Sequence, residues 1–511
     1  MTLKYKWLLL VAVLAAGTGV VSRKAGFKGK TEAAAINQQP NIIVILADDL
    51  GYGDLQCFNP DSRISTPHLN KLAGEGLLFT DAHSGSAVCT PTRYGLITGR
   101  YAFRSPLKKG VLGGYSPSLI EKDRFTIARL LKQAGYSTAV IGKWHLGLNW
   151  PVPDSSLLSV PDSPDKWLSG EGLAIREDLT LGPNDLGFDY SYILSSSLDI
   201  PPYLYLENGR LLSRTLQEIE GNNNPRGVFW RKGIASADFR IEKTLDHFGT
   251  KASAHLAAMS KKKTPFFLYL PLTSPHTPWL PAPQFQGKSG AGTYGDFVMH
   301  TDHVVGRVMH TLDSLGLREN TLVIFTSDNG ADWKPGDRKE FPLHRANGIY
   351  RGQKSDIWEG GHRVPFIASW PGMIKHPAVV NQTICLTDLA ATFAALTGQV
   401  LPANSAQDSY DFSPLLKNPA QKQAVRESVI HHAISGMFAI RKGKWKYIDG
   451  QGSGGWSAAP ESRLPAQLYN LETDPQETRN LLENHPDIAR ELKELLDRQK
   501  EAGYTRSGAA G

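Results

Sequence analysis

The chain has 511 residues, 41% hydrophobic and 21% charged, a balance that excludes a disordered or fibrous protein and a length that asks for more than one compact unit. The formal net charge of +7 owes most to residues 1–30, which hold six basic residues and no acidic one and leave 50 basic against 49 acidic residues elsewhere. Net charge therefore says little about the substrate, and no nucleic-acid partner is expected.

In chain order, Lys4 and Lys6 precede an apolar run from Trp7 to Ala16, and the small residues Gly17, Gly19 and Ser22 follow. This is the order of a secretory signal, and residues 1–25 are read as one. The run is short for a membrane span, with an uncleaved anchor as the alternative reading. The expectation is a secreted or periplasmic protein with no stable membrane insertion after cleavage.

Four later segments share one pattern, a short apolar run ending in polar, reactive residues. Ile42–Ala47 runs into Asp48-Asp49, and Ser137–Ile141 into Gly142-Lys143-Trp144-His145. Phe266–Leu270 is followed by Ser274-Pro275-His276, and Leu322–Thr326 by Asp328-Asn329-Gly330. Continuous apolar runs of this length predict strands buried on both faces of a mainly parallel sheet. Helices are predicted between them. Ile127, Leu130, Leu131 and Ala134 fit one helical face that stops at Gly135, and Val304, Val305, Val308, Met309 and Leu312 fit another. Alternating strands and helices predict an α/β sandwich, whose ligands bind beyond the carboxyl ends of the strands. All four polar clusters fall there.

Residues 151–235, rich in Pro, Ser, Gly and Asn, read as long inserted loops. Residues 38–400 are assigned to the catalytic domain and 401–511 to a smaller α+β domain. In the latter, Phe438–Ile440 and Trp445–Ile448 predict short antiparallel strands joined through Lys442-Gly443. Pro486 to Ala502 predicts a closing helix with Ile488, Leu492, Leu495 and Leu496 inward. Of the three cysteines, Cys57 and Cys385 either pair or stay as buried thiols.

The sharpest chemical signal is Cys89-Thr90-Pro91-Thr92-Arg93, followed by Leu96 and Thr98-Gly99-Arg100. Pro91 suits the first turn of a helix, which places Cys89 at a helix N-terminus where free N–H groups favour an anion. A cysteine there is a candidate thiolate nucleophile; the competing reading is a buried cysteine at a strand-to-helix turn. The adjacent Asp48 and Asp49 need a neutralising cation or base unless they form a solvated turn. Asp328-Asn329 repeats that logic, with an Asx turn as its alternative. The two pairs supply hard oxygen ligands, which suit calcium or magnesium rather than zinc.

The C-x-P-x-R pentapeptide with the following Thr-Gly pair resembles the sulfatase signature, and the resemblance extends from about Asn41 to Leu481. Thr92 stands where many members have Ser. The resemblance implies an alkaline-phosphatase-like α/β/α sandwich with a small C-terminal domain. It also implies a maturation enzyme that oxidises Cys89 to formylglycine, and one calcium ion held by Asp48, Asp49, Asp328, Asn329 and residue 89. By the same likeness, Lys143 binds sulfate, His145 holds the hydrated aldehyde and Arg93 stabilises charge. His276 protonates the leaving oxygen. Lys354, in the K-x-x-x-[WY]-E-G-G pattern that continues through Trp358-Glu359-Gly360-Gly361, bridges sulfate and leaving group. Ser197 and Asp199 fall near another polar contact of the family, and His344 and Arg345 are candidates to reach the sugar, with a solvated loop as the alternative.

The implied activity is hydrolysis of a sulfuric ester on a sulfated saccharide. Two rivals are a metal-dependent phosphatase or phosphodiesterase on the same scaffold and a catalytically inactive glycan-binding relative. The first expects a Ser or Thr nucleophile and His-rich ligands, and the second a depleted site; neither pattern is present. Leu198–Tyr203 and Phe285–Gly290 resemble bacterial sulfatases that act on single terminal sugars, which implies sulfated galactose or N-acetylgalactosamine.

Overall fold

Alternate residues of the strand Asn41–Asp48 belong to two different cores, and this alternation builds the molecule. Ile42, Val44 and Leu46 pack with Ile127, Leu130 and Leu131 of helix Ile127–Gln133 and with Leu389 and Phe393 of helix Leu389–Thr397. Ile43, Ile45 and Ala47 pack on the other side with Phe248 and Leu256 of helix Thr244–Met259 and with Val304 and Val308 of helix Gly292–Ser314. A strand apolar from Ile42 to Ala47 is thereby covered on both faces. Each fully buried Ile or Leu contributes roughly 1.5–3 kcal/mol.

The computed structural model describes residues 39–151, 175, 177–459 and 463–506. The predicted signal sequence and part of the predicted 151–235 loops lie outside them. No helix among the described residues is long and apolar enough to cross a membrane.

The large sheet has ten strands. Its centre is five parallel strands in the order Thr321–Ser327, Asn41–Asp48, Phe266–Pro275, Ser137–Lys143 and Tyr190–Leu194. Ile42 sits opposite both Phe267 and Leu322, so three apolar runs are in register at the core. Antiparallel pairing with Phe366–Ser369 extends one side, and the short strands Leu206–Glu207 and Arg210–Leu211 finish the other. The expected α/β/α sandwich is present.

The 151–235 region differs from expectation. Tyr190–Leu194 is a fifth parallel strand, and Leu216–Ile219 pairs with Gly233–Ser236 in a separate ribbon. Tyr-Ser-Tyr-Ile-Leu has good strand propensity, but its Ser- and Gly-rich surroundings mask the run.

A second, four-stranded antiparallel sheet comprises Ser428–His432, Phe438–Lys442, Trp445–Ile448 and Gln467–Asn470. Helix Pro486–Glu501 closes it through Ala489, Leu492, Leu495 and Leu496, with Ile488 only partly buried. All three cysteines are unpaired; Cys385 is buried and Cys57 half-buried.

Candidate active site

The five parallel strands deliver their carboxyl ends to one place, and each brings a different functional group. Asp48 ends the central strand, and Asp49 turns away from it with φ 64°, a left-handed conformation that a non-glycine residue adopts only when its surroundings enforce it. Lys143 ends its strand, His276 follows Pro275, and Asp328-Asn329 follow Ser327. Ser197 lies just beyond Leu194.

Cys89 is the first residue of helix Cys89–Thr98. Val88 precedes it in extended conformation, and Pro91 occupies the first turn, where its missing N–H is not needed. The whole helix is buried. Gly99 ends it with φ 65°. The ligand atoms of Asp48, Asp49, Cys89 and His276 all lie within 4.8 Å of one another.

Three cations interleave with three carboxylates. Arg93 donates to Asp328 Oδ2 from Nε at 3.0 Å and from Nη2 at 2.8 Å, and Nη2 lies 3.5 Å from Asp48 Oδ1. Lys143 Nζ reaches Asp48 Oδ2 at 2.5 Å and donates to Ser197 Oγ at 2.7 Å. Lys354 Nζ donates to Asp49 Oδ2 at 2.8 Å. Arg93, Lys143, Asp48 and Asp328 are fully buried, so the charges compensate one another rather than being solvated. Burial raises Asp48, but Lys143, His276, Arg93 and Lys354 together hold its carboxyl well below the usual range. Burial and the Asp48 charge push Asp328 up to about 6 against Arg93. Burial lowers Lys354, and Asp49 more than reverses this.

The cluster has the donors a divalent cation requires. Asp48 Oδ1 and Asn329 Oδ1 are buried without a hydrogen-bond partner. Asn329 Nδ2 donates to Asp49 Oδ1 at 2.7 Å, which fixes the amide with its oxygen free. Unsatisfied buried oxygens beside three carboxylates fit a hard ion such as calcium. With a divalent ion added, the balanced charges become net positive, and the site favours an anionic ester.

The two histidines differ in role. His145 Nε2 is 2.8 Å from the Leu112 carbonyl, which can only accept, so Nε2 carries the proton and the buried Nδ1 keeps a free lone pair. Burial, then Lys143 and Arg93, hold its pKa well below the usual value. His276 Nδ1 donates to the Thr277 carbonyl at 2.6 Å, and its Nε2 lies 3.7 Å from Asp49 Oδ2.

These groups open into a cleft of 570 Å³. Asp199 lines it, held by Arg231 at 2.7 Å. His344 and Arg345 do not line it. His344 is buried, with Nε2 2.9 Å from Asp54 Oδ1, and Arg345 opens into a different pocket. Both residues line a second pocket together with Trp333. Sequence reading missed Trp456, a 48% exposed indole that lines the cleft from the second sheet's side, with Lys354 Nζ 5.7 Å from its ring centroid. Its Gly-Ser-Gly-Gly-Trp setting carries no signal beyond a turn.

An α/β sandwich that gathers carboxylates, cations and a helix-terminal cysteine at its strand ends has the makings of a metal-assisted hydrolase of anionic esters. A model of the sulfatase family matches residues 40–399, and one for the C-terminal part of N-sulphoglucosamine sulphohydrolase matches residues 351–502. N-acetylgalactosamine-6-O-sulfatase of Bacteroides thetaiotaomicron is 36% identical over 506 residues, covering 91% of this chain and 94% of that protein. Arylsulfatase A of Homo sapiens is 33% identical over 492 residues, covering 92% and 90% respectively. A solved structure concerned with the metabolism of multiple glycosaminoglycans by Bacteroides thetaiotaomicron matches with TM-score 0.78 at 33% identity, over 91% of this chain and 100% of that one. The PsFucS1 sulfatase from Pseudoalteromonas sp. matches with TM-score 0.70 at 25% identity, over 91% and 90%. The chain belongs to the sulfatase family and is a sulfuric ester hydrolase.

Proposed function

We propose that the protein is an exported, calcium-dependent sulfatase that frees inorganic sulfate from a sulfated galactose or N-acetylgalactosamine residue, with Cys89 oxidised to formylglycine. The observation that carries this reading is Cys89 at the meeting point of Asp48, Asp49 and His276, with Lys143 and Lys354 beside them. As a plain thiol, Cys89 would be a poor nucleophile, because burial pushes it up to about 11 despite Lys143 and Lys354. By similarity to the family, a maturation enzyme would carry out that oxidation.

Asp48, Asp49, Asp328, Asn329 and residue 89 would hold the ion, which when bound supplies Lewis-acid polarisation of a sulfuryl oxygen. Residue 89, once oxidised to the aldehyde and hydrated by a water molecule to a gem-diol, supplies the attacking hydroxyl, whose proton passes to a neighbouring carboxylate such as Asp328. Lys143, Lys354 and Arg93 balance the negative charge that grows on the sulfuryl oxygens in the transition state. When the bond from sulfur to the sugar oxygen breaks, a doubly protonated His276 delivers its Nε2 proton to that oxygen. The neutral His145, with Nδ1 free, takes a proton from residue 89 as sulfate is released. The sugar reading rests on the similarity to an N-acetylgalactosamine-6-O-sulfatase and on the flat indole of Trp456 in the cleft.

The test measures sulfate release from 6-sulfated N-acetylgalactosamine and galactose, with mass spectrometry of the peptide that contains residue 89. The expected result is turnover by protein carrying an aldehyde there, lost on chelation and restored by calcium, and reduced to background in Cys89→Ala. Full turnover by Cys89→Ala, or by protein with an unmodified thiol, would overturn the reading.

A further inference from the structure

Close to the cleft is a second pocket, of 410 Å³. Asp332 and Lys334 line the catalytic cleft, whereas Trp333 and Arg338 line this one, so one segment contributes to both hollows. Arg345 and Arg351 complete a set of three guanidinium groups around the pocket, and no acidic residue lines it.

These arginines lack the compensation found beside the cleft. Elsewhere near the cleft, arginines have carboxylate partners: Arg226 meets Asp337 at 2.8 Å, and Arg231 meets Asp199 at 2.7 Å. Among the described residues, none of Arg338, Arg345 and Arg351 has a carboxylate within ion-pair distance. Arg338 donates only a long bond to the Gly352 carbonyl at 3.5 Å, and Arg351 donates to the Glu477 carbonyl at 2.7 Å while lying 3.6 Å from the Trp358 ring centroid. Arg338 and Arg345 are exposed.

Three permanently charged forks around a pocket that no acidic residue lines form a receptor for an oxyanion. We propose that this pocket is a second anion site, which binds sulfate or carboxylate groups further along a saccharide chain whose sulfated sugar occupies the catalytic cleft. The proposal rests on the saccharide reading of the cleft. It gives Arg345 a role next to the cleft rather than in it. The site would let an anionic oligosaccharide bind more tightly than its sulfated monosaccharide, without new contacts at the reacting sulfur.

The test is calorimetric and needs no turnover. A chondroitin 6-sulfate hexasaccharide and 6-sulfated N-acetylgalactosamine are titrated into the Cys89→Ala protein, with and without R338A and R345A. Arg351 is left in place because it packs on Trp358. Losing two charge-assisted contacts should weaken the hexasaccharide about tenfold and flatten its salt dependence. The monosaccharide should bind as before, which also shows that the double variant is folded. Equal hexasaccharide affinity in both proteins, or no hexasaccharide binding at all, overturns the site. Equal weakening of both ligands overturns it too, since the arginines would then act through the shared segment. Failure of the sulfatase reading would appear separately, as absence of sulfate release by the unmutated enzyme.

Discussion

His276 faces the cleft with one nitrogen already committed. Its Nδ1–H is held by the Thr277 carbonyl at 2.6 Å, so only Nε2 can serve an incoming group. How much that matters depends on the leaving oxygen. A sugar alkoxide departs poorly without a proton, whereas 4-nitrophenolate departs without help. His276→Ala is therefore expected to lower kcat for a sulfated saccharide by about 10²–10⁴-fold and to lower it much less for 4-nitrophenyl sulfate. Equal losses on the two substrates would mean that His276 positions the ester instead of protonating it. Arg93 has a different duty. Fully buried and bonded twice to Asp328, it holds that carboxylate and also donates to the Lys143 carbonyl at 3.0 Å, so it ties two strand ends together.

At the scale of elements, the site depends on strands that approach more closely than most side chains permit. Gly142, just before Lys143, has φ 137°, and a Cβ there would lie 1.9 Å from the Pro271 carbonyl oxygen of the neighbouring strand. Gly142→Ala should thus cost about 3 kcal/mol or more and displace Lys143. Urea unfolding and sulfate release would both report the change; a variant with unaltered stability would show that the two strands can part freely. Such elements were legible in sequence to different degrees. Four of the five central strands announced themselves, because a strand buried on both faces must be apolar throughout, and their reactive residues stand directly at its end. Tyr190–Leu194 was hidden in a Ser- and Gly-rich stretch. His344 and Arg345 follow Asp328-Asn329 closely in sequence, but after the helix Pro335–Glu340 they line a separate pocket. Trp456 was invisible for the opposite reason, since it reaches the cleft from more than a hundred residues beyond Lys354.

At the scale of the whole molecule, a buried junction ties the second sheet to the segment that carries Glu359 of the K-x-x-x-[WY]-E-G-G pattern. Lys446, on the second sheet, lies 3.1 Å from Glu359 and 2.8 Å from Glu477, and all three are fully buried. Glu359 lies five residues after Lys354, so the junction anchors the segment that carries a site lysine. One ammonium cannot satisfy two carboxylates equally. Burial raises Glu359, but Lys446, Arg363, His83 and His362 outweigh it and hold the carboxyl well below its usual value. Burial pushes Glu477 up to about 7 from 4.5; Lys446 opposes this, and the charge of Glu359 adds to it. A carboxyl raised in the folded state keeps its proton there after the unfolded chain has lost it. Its contribution to stability is complete below pH 4.5 and is lost as pH rises to about 7. Glu359 behaves oppositely, adding stability above its unfolded value that is lost as pH falls. Thermal melts of the wild type and Glu477→Gln across that window should diverge, the wild type losing of order 1–3 kcal/mol that the variant keeps. Glu359→Gln should instead be destabilised at neutral pH by about 3–5 kcal/mol, because Lys446 loses its stronger partner. Parallel melting curves for wild type and Glu477→Gln would show that Glu477 is ionised throughout, and that Lys446 serves both carboxylates alike.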